Sequence, residues 1–438
     1  MNAKFRGDKF WLALLIAIIA ARLAVFAGVW IDPQRALKPD SLDYLRLADG
    51  LAQGDGFVTS GNPESFRVPG YPVFLAVLQQ LSDSLRFISF VQVMLSIATC
   101  VLTWDIARTL AGEKGGFIGL AVQGFSIVSA VFACRILSEA LFVFIFVVFL
   151  RLFLLGYARP GLWGGRLRVL TAGALLAAAA YVRAVAVPLG FLCVGYWLCK
   201  RQFKSALLLA ATWLVLLAPW YLRNWIKTGT PQFSTVAEIN FYRYNTCMLL
   251  AHLNERSFAE QQSIIDSQLA ELDTQVARAR YAGRRARKEI GDHPWVYFGL
   301  HLGTVPGNML PAAGDLFQIV GVPIGGGGTL GVIRNRGVVA GVRHYFRGKW
   351  IWFLAAVPVV LLMVAIYLLA AFGLICGLRE PSCRPAVVFM VLLAAYFIIA
   401  PGAAANPRFR VPVMPLLAVV AAHSGCKKNY RKNSRGAQ

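Results

Sequence analysis

The run WIWFLAAVPVVLLMVAIYLLAAFGL (350–374) decides the fold class. No charge interrupts it, and a helix needs only about 20 apolar residues to cross a bilayer core. Runs of the same character occupy 10–30, 86–107, 116–134, 138–157, 204–222 and 385–402, with shorter ones at 169–183, 184–199 and 411–424. The chain has 438 residues, 58% of them hydrophobic and 15% charged. Its mean hydropathy is +0.59. Soluble domains sit near ~45–50% apolar and ~25% charged, so an ordinary cytosolic enzyme, a disordered chain and a coiled coil are excluded. The expected fold is an all-α integral membrane protein, a polytopic helical bundle of about ten transmembrane helices.

Charge sets the expected orientation. Lys and Arg total 44 against 21 acids, a net +23. Such a balance can mark a nucleic-acid binder. Here the cations lie in short loops between apolar runs, the pattern that fixes membrane topology, and no nucleic-acid partner is expected. With the N-terminus in the cytoplasm, the short inner segments carry Lys4, Arg6, Lys9, Arg108, Lys114, Arg159, Arg166, Arg168, Lys200, Arg201, Lys204, Arg379 and Arg384 against Asp8, Glu113 and Glu380. Residues 1–30 are then the N-terminus and first span, read as an anchor because no small-residue cleavage site follows. Segment 31–85 is a first outer loop, 86–224 holds spans two to seven, and 225–349 is a second outer region. Spans eight to ten fill 350–424, and 425–438 is a basic inner tail.

The outer segments are not uniform. Residues 70–82 are apolar but too short to cross, which suits an interfacial or half-inserted helix. Residues 255–291 read as one polar helix with a stripe at Phe258, Ile265, Leu269, Leu272 and Val276. Residues 295–312 are apolar and interrupted by Pro306 and Pro311, so they are expected to dip into the interface. The cluster Arg278, Arg280, Arg284, Arg285, Arg287 and Lys288 fits either contact with lipid phosphates or an anionic acceptor, or a solvated helix face.

Transporters and channels place ionisable residues inside spans. The spans here read as nearly clean, with Asp105, Arg108 and Arg151 near their ends, and the polar content is outside. The first outer loop reads KPDSLDYLRLADGLAQGDGFVTSGNPESFRVPGYPVFLAVL (38–78). Residues 41–52 look helical, and Asp40 sits at the N-cap region. A helix cap is one reading of Asp40. The other is a general base, since a carboxylate at a helix N-terminus stays ionised. Arg183, Arg223, Arg408 and Arg410 fall at outer span ends, with Arg46 and Arg67 in the loop. Each is either a snorkelling anchor or a fork for phosphate oxygens. Glu139 opens the fourth span, either paired with Arg135 or in an active site. The eight cysteines show no CxxC, which argues against a disulfide framework or zinc site. The histidines have no metal spacing, Gly325–Gly328 reads as a flexible loop, and Asp315 is free to pair with a nearby base.

Several strings together resemble a known superfamily. Asp40-Ser41-x-x-Tyr44, then Ala48, Gly54, Gly56-Phe57 and Arg67-x-Pro69-Gly70-Tyr71-Pro72, resemble the first outer loop of the GT-C glycosyltransferases. The similar branch includes family 39 protein mannosyltransferases and the lipid A aminoarabinose transferase. Ser138-Glu139, Pro219-Trp220-x-x-Arg223-Asn224 and Arg408-x-Arg410-x-Pro412-x-x-Pro415 follow in matching order, so the resemblance covers roughly 40–415. It implies a GT-C bundle in a bacterial inner membrane, with interfacial helices in the outer loops and a periplasmic active site. The implied reaction moves a sugar from a polyprenyl (undecaprenyl or dolichyl) phosphate donor to a hydroxyl of a glycan, lipid or protein acceptor, with inversion. Asp40 is the implied base. Arg408 and Arg223 are the preferred phosphate pair. Arg410, Arg183, Arg67, Glu139, Asp43 and Tyr44 are further substrate-binding candidates. No cofactor is required by this reading, and a divalent metal is left open. Asp40 is then expected within about two helix turns, ~11 Å, of the arginines. The competing functions are a transporter or flippase of a polyprenyl-linked glycan, and a polymerase or ligase of surface polysaccharide.

Overall fold

A computed structural model describes residues 2–158, 165–322, 324, 329–404 and 406–425. The glycine run 325–328, Arg159 and the basic tail from 426 lie outside the described residues. Nineteen α-helices follow one another among the described residues. They begin with α1 (Asn2–Ile31), α2 (Pro39–Gln53), α3 (Gly70–Gln79), α4 (Leu85–Gly124), α5 (Ile127–Ala133), α6 (Glu139–Ala158), α7 (Gly165–Val182), α8 (Leu189–Cys199) and α9 (Phe203–Thr228). They continue with α10 (Val236–Asn240), α11 (Cys247–Leu253), α12 (Phe258–Ala270), α13 (Gln275–Asp292), α14 (Pro294–Thr304), α15 (Ala313–Ile319), α16 (Thr329–Tyr345), α17 (Trp350–Arg379), α18 (Arg384–Ile399) and α19 (Val413–Ala422). A two-residue hairpin, β1 (Val58–Thr59) against β2 (Asn62–Pro63), lies between α2 and α3.

The chain is a multi-pass helical membrane protein. Among the described residues five helices are long and apolar enough to cross: Lys9–Ile31 within α1, then α4, α7, α9 and α17. The apolar 20-residue α6 is of similar length. The remaining expected spans are shorter. The run 184–199 starts as a 3₁₀ turn and becomes helical only after Pro188. Its 11 residues reach ~16 Å at 1.5 Å each, about half a hydrocarbon core. The expected spans 86–107 and 116–134 form a helical hairpin. Gly112, at φ 78°, turns the chain within α4. The second arm then lies against the first, because a Cβ on Gly119 would meet that of Ala107 at 2.6 Å. That arm breaks at Ser126, whose side chain caps α5.

Helix α19 packs most extensively on α4, and α6 carries an aromatic stripe. Phe142, Phe146, Phe149 and Phe153 recur at four- and three-residue steps, so they share one face. They meet Phe397 and Phe389 of α18 and Trp197 of α8. One charge in a span escaped the reading of clean spans. Arg22 of α1 is 1% exposed; it donates to Ser96 Oγ and, at 2.8 Å, to the Gln123 carbonyl. Buried polar groups in a span need such partners.

The described parts of 31–84 and 229–349 join in a cap: Gln275 Oε1 accepts from the N–H groups of Ser65 and Phe66, and Ser234 donates to the Phe66 carbonyl. The predicted single helix 255–291 is two helices, because Asp273 and Thr274 interrupt it and Thr274 caps α13. The apolar stripe ends there. Ile265 and Leu269 are buried, whereas α13 buries Ala279, Ala282, Gly283 and Ala286. Its basic cluster divides accordingly. Arg278 and Arg280 bond the carbonyls of Leu272 and Gly229, Arg285 pairs with Glu289, and Arg284, Arg287 and Lys288 face outward. Helix α14 buries no residue and exposes Trp295, Phe298 and Leu302, as an interfacial segment does. Cys100, Cys134, Cys193 and Cys247 are buried free thiols, and Cys199, at the end of α8, is exposed.

Candidate active site

The start of α2 is held from three sides. Pro39 occupies its first turn, where a missing N–H does no harm. Ser41 Oγ accepts from the Lys38 N–H at 2.9 Å, so the cap is made without Asp40. Lys38 Nζ pairs with Asp315 Oδ1 at 3.1 Å and donates to Gln318 Oε1 at 2.7 Å, both on α15. Arg135 donates to the Arg35 carbonyl and, at 3.3 Å, to Gln318 Oε1. The cap-forming role considered for Asp40 is thus filled by Ser41, and Asp40 stands in the first helical turn with its carboxylate free for other partners.

Those partners are two guanidinium groups. Arg67 Nη2 donates to Asp40 Oδ1 at 2.8 Å, and Arg408 Nη1 donates to Oδ2 at 2.6 Å. Arg67 Nη2 also donates to Asp43 Oδ2 at 3.0 Å, and Arg46 holds the other Asp43 oxygen. The Arg67 guanidinium lies 4.8 Å from the Tyr44 and Phe66 ring centres. Tyr44 meets Tyr71 edge-on, and Tyr71 donates to Gln92 in α4. Arg408 Nε stands 3.9 Å from Glu139 Oε1, the oxygen that Arg183 also holds. Arg183 donates to Ser138 Oγ as well, at 3.3 Å. Glu139 is 2% exposed, and its Oε2 has no hydrogen-bond partner. Burial pushes the Asp40 carboxyl up, but the charges and hydrogen bonds of Arg67 and Arg408 outweigh it and hold the group well below the usual carboxylate range.

The structure therefore brings Asp40, Asp43, Tyr44, Arg67, Glu139, Arg183 and Arg408 into one chain of contacts. Glu139 pairs with Arg183 and approaches Arg408, while Arg135, the partner considered for it, faces Asp315. Two predicted residues lie elsewhere. Arg223 donates to the Glu64 carbonyl at 2.5 Å and the Phe57 carbonyl at 3.0 Å. Arg410 donates to the carbonyls of Met309 and Leu310 at 2.6 and 2.8 Å and to Tyr367 at 2.7 Å. These two arginines tie loops to span ends.

Three residues outside the predicted set shape the site. Glu64 is 2% exposed and accepts from the N–H groups of Phe66 and Arg67, at 2.5 and 2.9 Å, which fixes where the Arg67 side chain starts. Its signal was the acid three residues before Arg67. Lys38 was visible only as a residue next to Pro39. Arg243 makes a two-point pair with Asp266 from a single turn of π-helix, Phe241–Thr246. Such turns recur at functional sites, but they leave no mark in a sequence.

Around Asp40 stand three carboxylates (Asp40, Asp43, Glu139) and four guanidiniums (Arg46, Arg67, Arg183, Arg408). Lys38 with Asp315, Arg243 with Asp266, and Glu64 add further charges of both signs. Among the described residues no three His, Cys, Asp or Glu side chains converge, and Asp40 and Glu139 are engaged by arginines.

No protein-family model matches the chain, and no curated protein does. Solved structures do. The archaeal oligosaccharyltransferase AglB from Archaeoglobus fulgidus, with an inhibitory peptide and a dolichol-phosphate, is 12% identical at a TM-score of 0.53 over 95% of this chain and 50% of its own. The apo form of the Archaeoglobus fulgidus enzyme is 12% identical at 0.50, over 94% and 50%. ArnT from Cupriavidus metallidurans, bound to undecaprenyl phosphate, is 14% identical at 0.42, over 95% and 77%, an overlap too loose to argue from. The chain thus spans about half the length of the AglB chains it matches. At such identities the likeness is one of fold: the chain is a multi-pass helical membrane protein whose fold is similar to that of the Archaeoglobus fulgidus enzyme.

Proposed function

We propose that the chain is a membrane glycosyltransferase that moves a sugar from a polyprenyl-phosphate donor to an acceptor hydroxyl at the cap side, which faces the periplasm of a bacterial inner membrane. The observation that carries this reading is the Asp40 carboxylate set between Arg67 and Arg408 at the start of α2. In the reaction the acceptor oxygen attacks the anomeric carbon, the bond from that carbon to the phosphate oxygen breaks, and the configuration inverts. The acceptor proton passes to Asp40, which must lie within hydrogen-bond reach. The phosphate leaves with one more negative charge, which a guanidinium fork stabilises where it develops. Arg408 is the nearest such fork, and Glu139 holds Arg183 beside it. A transporter would place ionisable groups along a path; Arg22, inside a span, is buried and bonded to α4 instead.

The test uses purified protein in lipid, radiolabelled polyprenyl-phosphate sugars and a membrane extract as acceptor. Asp40→Asn should lower label transfer by about 10²-fold or more. Full transfer by the folded Asn variant overturns the base assignment. Absence of transfer from any donor by folded wild type moves the reading to a flippase, which flux in vesicles would then show.

A further inference from the structure

Both oxygens of Asp40 are occupied, Oδ1 by Arg67 and Oδ2 by Arg408. A general base needs a lone pair directed at the proton it takes. Each oxygen keeps a further lone pair, but two cations on the carboxylate weaken its hold on a proton, so release of one of them makes Asp40 the stronger base.

The two arginines differ in how they are held. Arg67 is 11% exposed, lies against two aromatic rings and bridges two carboxylates through one nitrogen. Its backbone N–H is fixed by Glu64. Arg408 is 26% exposed, lies over the single ring of Phe409, has its backbone N–H fixed by Asn406, and makes one side-chain hydrogen bond, to Asp40. It sits in the 3₁₀ turn Pro407–Arg410, ahead of the last span. Its Nε already faces Glu139 at 3.9 Å, so a guanidinium leaving Asp40 stays tethered at the site. A phosphate offers the same two-point geometry as a carboxylate, with more oxygens.

We propose that Arg408 is a substrate-operated latch: in the empty enzyme it covers Asp40, and the donor's lipid phosphate draws it away, so that donor binding itself uncovers the base. This inference rests on the glycosyltransferase reading and adds a regulatory step to it. Asp40 and the phosphate then compete for one guanidinium. A binding site available in only a fraction of molecules shows an affinity lowered by that fraction. Removing the Asp40 charge therefore strengthens phosphate binding even as it abolishes transfer.

Undecaprenyl phosphate without sugar is titrated into wild type, Asp40→Asn, Arg408→Ala and the double variant in neutral-lipid nanodiscs. Asp40→Asn should bind about tenfold more tightly than wild type, as a latch closed in roughly nine molecules of ten requires. The double variant should lose that gain. Asp43→Asn removes a like charge one helical turn away without touching Arg408, and should gain less. Equal or weaker binding by Asp40→Asn, with Asp40→Ala agreeing and both folded by thermal unfolding, overturns the latch. So does an equal gain in Asp43→Asn, which would point to the general field. If transfer is lost in Asp40→Asn while affinity is unchanged, the latch fails and the glycosyltransferase reading stands. If no protein binds undecaprenyl phosphate, both fail.

Discussion

Arg67 sets the electrostatics of Asp40. Its Nη2 serves Asp40 and Asp43 together, and it is the first-ranked charge acting against the burial that would raise the Asp40 carboxyl. The sign of its removal follows. Without Arg67, burial is opposed by Arg408 alone, so the Asp40 pKa rises. A carboxylate base acts above its pKa and fails as pH falls through it. Arg67→Gln should therefore move the acid limb of transfer toward neutral pH. A pH–rate profile of the two proteins checks this, and superimposable acid limbs would remove Arg67 from the account. The charged residues around Asp40 were legible in sequence because their motif carries Asp40, Arg67, Glu139 and Arg408 in order. Arg223 and Arg410 were not separable from them, because both bind main-chain carbonyls. Every residue has a carbonyl, so nothing in a sequence marks the one that will accept.

At the scale of elements, the loop between α2 and α3 is a small built object. The β1–β2 hairpin, the Glu64 turn and the Arg223 fork close it onto the end of α9. Gly70 then brings α3 against α7, where an added Cβ would stand 2.7 Å from the Tyr181 carbonyl. Arg223→Ala should loosen this loop and raise its cleavage by added protease several-fold, as expected when local opening becomes easier by ~1–2 kcal/mol. Lys at 223 should not restore protection, because one ammonium cannot reproduce a planar fork. Protection unchanged in both variants would show that the loop is held by Glu64 alone. The second outer region was read with less success. Its stripe was followed through Asp273-Thr274, although a Thr ahead of a helical run is a cap signal. The small residues that α13 buries carry little hydrophobic contrast, so the change of register did not show.

For the whole molecule, apolar runs fixed the fold class, since no soluble arrangement hides helices such as α17. The number of crossings was less legible. Length alone cannot distinguish a full span from α8, α18 or α19, whereas the turn within α4 showed as Arg108, Glu113 and Lys114 between two apolar runs. Sidedness is a separate matter, carried by the basic short loops. The cysteines offer a direct reading of it. Cys199 ends α8 beside Lys200 and Arg201, exposed, while four other thiols are buried. With Cys376, Cys383 and Cys426 replaced by Ser, a membrane-impermeant maleimide should label it in inverted vesicles and leave it unlabelled in right-side-out ones, with Cys199→Ser removing the signal. Labelling from the opposite side would turn the protein over and place Asp40 in the cytoplasm. The end of an unremarked short helix is thus a compass needle for the whole chain, readable in membrane vesicles without a substrate.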